Sequence, residues 1–543
     1  MKICNSLNRS VSVLALAAVA SLATGAFAHP IYRPHKHGVA PIDPNTPVAH
    51  VGPLESPYVA PKKTKSGTWT DLTGKLPFQD GPWAPQLLTD GTVLVEDYFT
   101  QYWYRLTPDS KGNYEDGTWT KTAAMPSGYE PLFFASQILP DGRMIVNGGE
   151  YNAGNSDWTN KGALYDPVAN SWTAVSPPSG WSTIGDAESI ILPNGSYMLA
   201  NCCDSSPAEQ GIATISGTKV TWTTQDSYYY NDEEGWTALP GGNVLTVDVW
   251  NTGSNYNDYE IYNPTTGVWS LAGQTAQLMS DDQIYEIGPG VLTPLGGTQG
   301  SIVQFSGAPA TGYNNILDLA TSTWSVAPVM QYKNAIYDVA DGPAATLPDG
   351  NVLVESSPGY FAAPSHFWEF SVNKKNKATA TQVSDPAQAP NTAAGEGNLL
   401  VLPTGQVLWV NSQAQPNEVA LYTPTGKPNS AWAPVISAVQ TTLTVGSTGN
   451  TISGTNFNGF SLGGAYGDDA QAASNFPLVR ITNKATGDVC FGRSYDFSTM
   501  GVWTQGTTNA VFDIPTTCET GKSTLQVIVN GIASKGKSVT LNG

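Results

Sequence analysis

The chain has 543 residues, with 55 Gly, 39 Pro, 16 Trp, 24 Tyr and 15 Phe, and 25 basic against 44 acidic residues for a formal net charge of −19. Such a length suggests two to four domains, and this aromatic content a large packed core rather than a disordered chain. The negative balance repels polyanions, which excludes nucleic acid as a partner and disfavours anionic glycans unless a cation bridges them.

Residues 1–28 read as a secretory signal. Lys2 and Arg9 precede an apolar stretch that includes residues 11–20, and Ala26-Phe27-Ala28 forms a small-x-small cleavage site. The apolar run is too short and too rich in Ala and Ser for a membrane span, so no transmembrane segment is expected. Cleavage before His29 would leave a secreted or periplasmic protein, expected to be a monomer, and loss of Lys2 and Arg9 would take the net charge from −19 to −21. Residues 29–65 form a Pro- and His-rich arm or linker without periodicity. An α-amine on His29, with His35 and His37 close behind, makes these candidate Cu(II) or Zn(II) ligands; a flexible basic arm is the plainer reading.

Internal repetition begins at residue 66. Turns recur at Leu88-Thr89-Asp90-Gly91, Leu139-Pro140-Asp141-Gly142, Leu192-Pro193-Asn194-Gly195, Leu239-Pro240-Gly241-Gly242, Thr293-Pro294-Leu295-Gly296, Leu347-Pro348-Asp349-Gly350 and Leu402-Pro403-Thr404-Gly405. Between the final glycines the steps are 51, 53, 47, 54, 54 and 55 residues. Each turn joins two short β-branched runs, as in a hairpin. A second marker is Trp69, Trp119, Trp172, Trp222, Trp269, Trp324 and Trp432, absent from the sixth repeat. A period near 50 with four strand-like runs predicts an all-β fold, a seven-bladed propeller over 66–434. Trp69 precedes the first turn, so its strand is expected to complete the last blade.

From 435 to 543 the texture changes to period-two strands, as in Thr451-Ile452-Ser453 and Leu525-Gln526-Val527, spaced as in an immunoglobulin-like β-sandwich. Cys490 and Cys518 fall there and are expected to bridge. Cys202 and Cys203 are adjacent in the third blade. A vicinal disulfide between them is expected, strained because adjacent Cα atoms lie about 3.8 Å apart against a usual span of roughly 4.4–6.8 Å; two free thiols are the plainer alternative.

The repeat resembles kelch, with Gly148-Gly149 as its diglycine. Signal, seven blades and a C-terminal sandwich containing Gly464-Ala465-Tyr466-Gly467-Asp468-Asp469 together resemble the galactose oxidase/glyoxal oxidase superfamily, its secreted bacterial kelch members in particular. The resemblance implies one copper on the propeller axis, held by a Cys-crosslinked Tyr, a Tyr-His pair and a His from the C-terminal domain. Here the crosslinked Tyr position is Phe133, no Cys lies between Cys4 and Cys202, and the Tyr-His pair is Gly395-Glu396. No histidine follows His366, and Tyr495 and Phe497 stand where relatives can carry one. A Cu(II) site of this type needs imidazole and phenolate, so copper is not expected at the axis.

On the same resemblance, the innermost strands start from the copper-bearing face, and here each start carries a carboxylate: Asp80, Glu130, Asp186, Glu233, Glu286, Asp341 and Glu396, with Glu188, Asp232 and Glu234 nearby. At about 5 Å and an effective dielectric near 20, each like-charged pair costs roughly 3 kcal/mol. Such a ring takes up protons, water or a cation, and oxygen ligands favour Ca²⁺, with Asp186, Glu233, Glu286, Asp341 and Glu396 the candidate ligands. Glu396 and Asp341 are also the candidates for acid–base work on a glycoside, while caps on loop amides are the plainer alternative. Trp83, Phe133, Trp181, Trp236 and Tyr285 lie near these starts as candidate sugar-stacking rings, although blade core would use the same residues. The leading expectation is a propeller that binds a small ligand, carbohydrate by preference, over its central opening without oxidase chemistry. Its alternatives are a carboxylate- or Ca-dependent hydrolase or lyase and, less favoured, a copper oxidase.

Overall fold

The computed structural model describes residues 67–202, 209–227, 231, 233–249, 257–280, 286–308, 311–359 and 362–543. The signal and arm, with His29, His35 and His37, lie outside the described residues, as do Cys203, Asp232 and Tyr285.

Among the described residues, seven antiparallel sheets form the blades of a propeller. The first pairs Pro82–Leu87, Val93–Asp97, Trp103–Thr107 and Thr118–Lys121 in order. In the seventh, Gly397–Val401, Val407–Asn411 and Val419–Thr423 are completed by Thr68–Asp71 from the beginning of the propeller, with Trp69 opposite Tyr422. The ring therefore closes through the strand of Trp69, as the sequence predicts. Trp432 belongs to no blade: it lies beyond the last blade strand, against the turn at Gly350.

Inner strands are wholly buried and mostly apolar, as at Met144–Asn147 and Val352–Ser356, whereas outer strands alternate. This is the burial expected when neighbouring sheets cover both faces of the inner strands. The hairpin glycines sit at φ from +76° to +95° at Gly91, Gly142, Gly195, Gly242, Gly350 and Gly405, each donating its N–H to the leucine carbonyl three residues before it. Only glycine takes this left-handed backbone without strain. Outer-strand tryptophans stitch blades together. Trp172, Trp222 and Trp69 donate Nε1–H to the carbonyls of Ala123, Ser176 and Ser384, each just past the outer strand of the preceding blade.

The C-terminal strands, from Val435–Val439 to Lys537–Asn542, form one connected antiparallel network with a single parallel pairing, Thr442–Thr444 with Lys537–Asn542. Ile452, Val479, Phe512 and Leu525 build its core, and Cys490 is disulfide-bonded to Cys518. This unit sits on the hairpin-turn face of the propeller, where Ser494 N–H donates to Thr89 O (3.1 Å), Met500 N–H to Pro193 O (3.1 Å) and Arg493 to Asp141 O (2.8 Å). From it a finger enters the channel. Gly464–Ala465 pairs with the innermost strand of blade six, Ala344–Thr346, and the chain returns through Ala472 and Ser474, which bond back to Gly464 and Leu462. Its tip reaches the strand starts, where Gly467 lies against Asp341 and Tyr466 donates to Gly395 O. No helix among the described residues is long and apolar enough to cross a membrane.

Candidate functional site

Of the seven strand-start carboxylates, Asp186, Glu233, Glu286 and Glu396 are buried and Asp341 is half-buried. Asp80 is exposed and Glu130 half-buried, so the predicted ring is incomplete on the side of blades one and two. Asp186, Glu233, Glu286 and Asp341 come together, joined by Asp468 of the finger, while Glu396 is in neither of the two carboxylate groupings they form. Two triplets, Asp186–Glu233–Asp468 and Glu233–Glu286–Asp341, each bring one oxygen per residue to within 4.8 Å of the others, with Glu233 common to both.

Local backbone makes this convergence possible. Glu233 and Asp341 have φ of 60° and 48°. A non-glycine residue there costs on the order of 1–3 kcal/mol, which the surrounding structure must offset. Asp341 is held by its N–H to Ile287 O (3.3 Å) in a turn closed by Gly342 N–H to Val339 O (2.8 Å). The finger approaches closely because Gly467 has no side chain: a Cβ there would lie 2.8 Å from Asp341 Cα. Likewise a Cβ on Gly235 would lie 2.2 Å from Gly467 O. Burial, reinforced by neighbouring carboxylates, pushes the pKa values of Glu286, Asp468 and Asp469 well above the usual range. Asp468 feels Asp469, Glu233, Asp341 and Asp186 in turn.

Glu396 occupies a second environment. It ends the short 3-10 turn Ala394–Glu396, is 6% exposed, and accepts hydrogen bonds from Ser412 Oγ (2.5 Å) and Tyr98 Oη (3.4 Å). Burial raises its pKa to about 7, against the lowering effect of both hydroxyls. Tyr98 belongs to a connected set of rings: Trp83–Tyr98 (6.2 Å), Tyr98–Phe99 (6.2 Å), Phe99–Tyr151 (6.0 Å), Phe133–Tyr151 (6.3 Å) and Trp83–Phe133 (5.6 Å). Tyr151 lies in the field of both Asp186 and Glu396, linking the two environments.

The predicted stacking rings divide. Phe133 is half-buried in this set, but Trp83, Trp181 and Trp236 are buried packing residues with no face open to a ligand. Trp83 lies between Phe133 and Tyr466, and Trp181 donates to Glu209 Oε2 (2.5 Å). The rings left half-buried are Tyr98, Phe99, Phe133 and Tyr151. Glu234, in the field of Glu188, is held within blade four. Glu234 accepts from Thr246 Oγ1 (2.9 Å) and Val249 N (3.1 Å) in blade four, beside Asp248 and Glu260, whose pKa burial raises to about 9. Cys202 is buried with Sγ 3.0 Å from Asp186 Oδ1, and its predicted pairing with Cys203 falls outside the described residues.

Copper does not fit this donor set. Positions 133, 395 and 396 carry Phe, Gly and Glu, and the one histidine among the described residues, His366, is in blade six with Nδ1 2.7 Å from Asp385 Oδ2. Sequence reading missed Asp468 and Asp469 as site residues, although it noted their segment, because nothing in local spacing says that a loop beyond residue 460 returns to the channel. Tyr98 was missed because it follows the second strand of its blade, not the first.

Seven blades closed by an N-terminal strand, with a C-terminal finger in the channel, define a seven-bladed β-propeller fold. Residues of this chain are 30% identical over 133 positions to the Kelch-like protein terF of Aspergillus terreus, 24% of this chain and 26% of that protein, so the chain spans about a quarter of the curated relative it matches. Among solved structures, it is similar to a fungal alcohol oxidase of the AA5 family in complex with copper (14% identity, TM-score 0.49, 88% of this chain and 99% of that one). It is also similar to the extracellular domain of the putative one-component system BT4673 from B. thetaiotaomicron (10% identity, TM-score 0.41, 89% and 58%). No family model matches the chain.

Proposed function

We propose that this chain is an exported kelch-type propeller that binds a neutral, hydroxyl-rich ligand, carbohydrate in class, at the axial mouth around Glu396, without copper-radical chemistry. The observation that carries this reading is Glu396 itself, a buried carboxyl in reach of Tyr98 Oη, whose ring leads into the half-buried Phe99, Tyr151 and Phe133. Ring faces beside a few fixed polar groups are how apolar sugar faces and hydroxyls are held together. The neighbouring carboxylates select against anionic sugars. The signal-like start and the Cys490–Cys518 disulfide support export to an oxidising compartment.

A second reading, a glycan hydrolase or lyase, is favoured by one observation: a pKa of about 7 suits Glu396 to general acid–base catalysis near neutral pH. The test is a glycan array probed with the full chain, Glu396→Gln and Tyr98→Phe. Binding by wild type that both substitutions weaken at least tenfold supports the proposal. Turnover of a bound glycan, abolished by Glu396→Gln with binding retained, selects the enzyme. Glycan retention equal in all three proteins, with no turnover by the wild type, contradicts both.

A further inference from the structure

Beyond the ligand mouth, the axial carboxylates carry an inference of their own: we propose that Asp186, Glu233, Glu286, Asp341 and Asp468 form a two-position centre for hard divalent cations, Ca²⁺ in the first place, with Glu233 shared and the C-terminal finger supplying the closing ligand.

Geometry gives the two positions. Each triplet gathers three carboxylate oxygens within 4.8 Å, the span across a cation whose oxygen ligands stand at about 2.3–2.6 Å. Because the triplets share only Glu233, they are adjacent, and the shared residue is placed as a bridge. Charge agrees with two ions better than with one: five carboxylates outweigh a single divalent cation and come near balance with two.

An independent observation lies outside both triplets. Asp469 is fully buried, its Oδ1 accepts from the N–H of Ala470, and its Oδ2 has no hydrogen-bond partner among the described residues. Its charge bears on Asp186, Asp341 and Glu233, members of both triplets. A second buried oxygen, Glu286 Oε2, is likewise without a hydrogen bond there, and no ion pair among the described residues includes Glu286, Asp468 or Asp469. Buried carboxylate oxygens of native proteins are paired or coordinate a metal. Oxygen donors alone select Ca²⁺ or Mg²⁺ over softer ions, and the many carboxylates with no small octahedral cage favour Ca²⁺.

The arrangement also gives the centre a structural consequence. Asp468 belongs to the C-terminal unit and the other four ligands to the propeller, so the cations would clamp the finger in the channel. Protons are the competing occupants, since burial and mutual repulsion favour the neutral acids.

The test uses the full chain, stripped with EGTA and passed into chelator-free buffer. Calorimetric titration with Ca²⁺ is expected to give two ions per chain. Terbium is expected to bind competitively with Ca²⁺, with emission sensitised through Tyr466 beside the finger carboxylates. Glu233→Gln should abolish both positions, Asp468→Asn should weaken one at least tenfold, and Glu234→Gln, in the blade-four cluster, should leave the stoichiometry at two. Should Glu233→Gln fail to fold, the Asp468→Asn comparison and the terbium competition on wild type decide. Fewer than two Ca²⁺ per chain, or binding indifferent to Asp468→Asn, overturns the proposal.

Discussion

Tyr466 donates its hydroxyl to the carbonyl of Gly395 at 2.5 Å, so a ring from the C-terminal finger is bonded to the residue immediately before Glu396. Tyr466 is 1% exposed, and Trp83 packs edge-on against its ring at 5.6 Å. The finger thus sets the backbone that aims Glu396, while its next residues face the acidic set. Sequence distance hides this coupling, since 71 residues separate the partners.

Removing the Tyr466 hydroxyl leaves a buried carbonyl without its partner. Tyr466→Phe is expected to cost about 1–2 kcal/mol in denaturant unfolding and to speed amide exchange in residues 394–397 and 464–471. Unchanged exchange in both segments contradicts the anchoring role.

Acid should favour the fold when cations are withheld. Glu396 titrates near 4.5 when unfolded and at about 7 in the fold. The neutral acid is therefore the form that the fold prefers: stability is full below about pH 4.5 and is lost as pH rises through about 7. Glu355 and Glu260, raised by burial to about 8 and about 9, act with the same sign at higher pH. In EGTA, unfolding free energy is expected to fall from pH 5 to pH 8, and Glu396→Gln to remove up to about 3 kcal/mol of that difference. A wild type more stable at pH 8 than at pH 5 in chelator would contradict this.

Ring closure depends on Trp69. Its indole meets Phe367 at 4.8 Å, Tyr422 at 5.0 Å and Trp409 at 6.1 Å, and donates to Ser384 O at 2.6 Å. Trp69→Ala is expected to destabilise by about 3 kcal/mol, measured by equilibrium unfolding, with faster exchange in Val419–Thr423. A loss under about 0.5 kcal/mol, the scale of an ordinary surface substitution, would mean the strand is not what holds the ring shut.

The blades were legible because their signals are local. A Gly at left-handed φ, a hydrophobic run and an outer-strand Trp recur every 47 to 55 residues, and each needs only its own hairpin to be recognised. The missing Trp of the sixth repeat was legible for the same reason: its outer strand, Ala378–Gln382, holds none. The site was legible only in part. Asp186, Glu233, Glu286 and Asp341 could be picked out as carboxylates at strand starts, but their direction depends on backbone at single residues such as Asp341, whose left-handed φ no periodicity reveals. Asp80 shares the same spacing and points to solvent. Trp83 and Trp236 mark the limit from the other side, because large rings near an opening are as useful for packing blades as for holding a sugar, and here packing took them.

The axis offers oxygen donors where a copper-radical site needs imidazole and phenolate. The most direct measurement is hydrogen peroxide release by the full chain after incubation with Cu(II) and removal of excess metal, with galactosides and small aldehydes as substrates. The expected result is peroxide no greater than the copper-treated Glu396→Gln control and no copper retained stoichiometrically on the axis. Sustained peroxide production in proportion to one bound copper per chain, lost on Glu396→Gln, would contradict it.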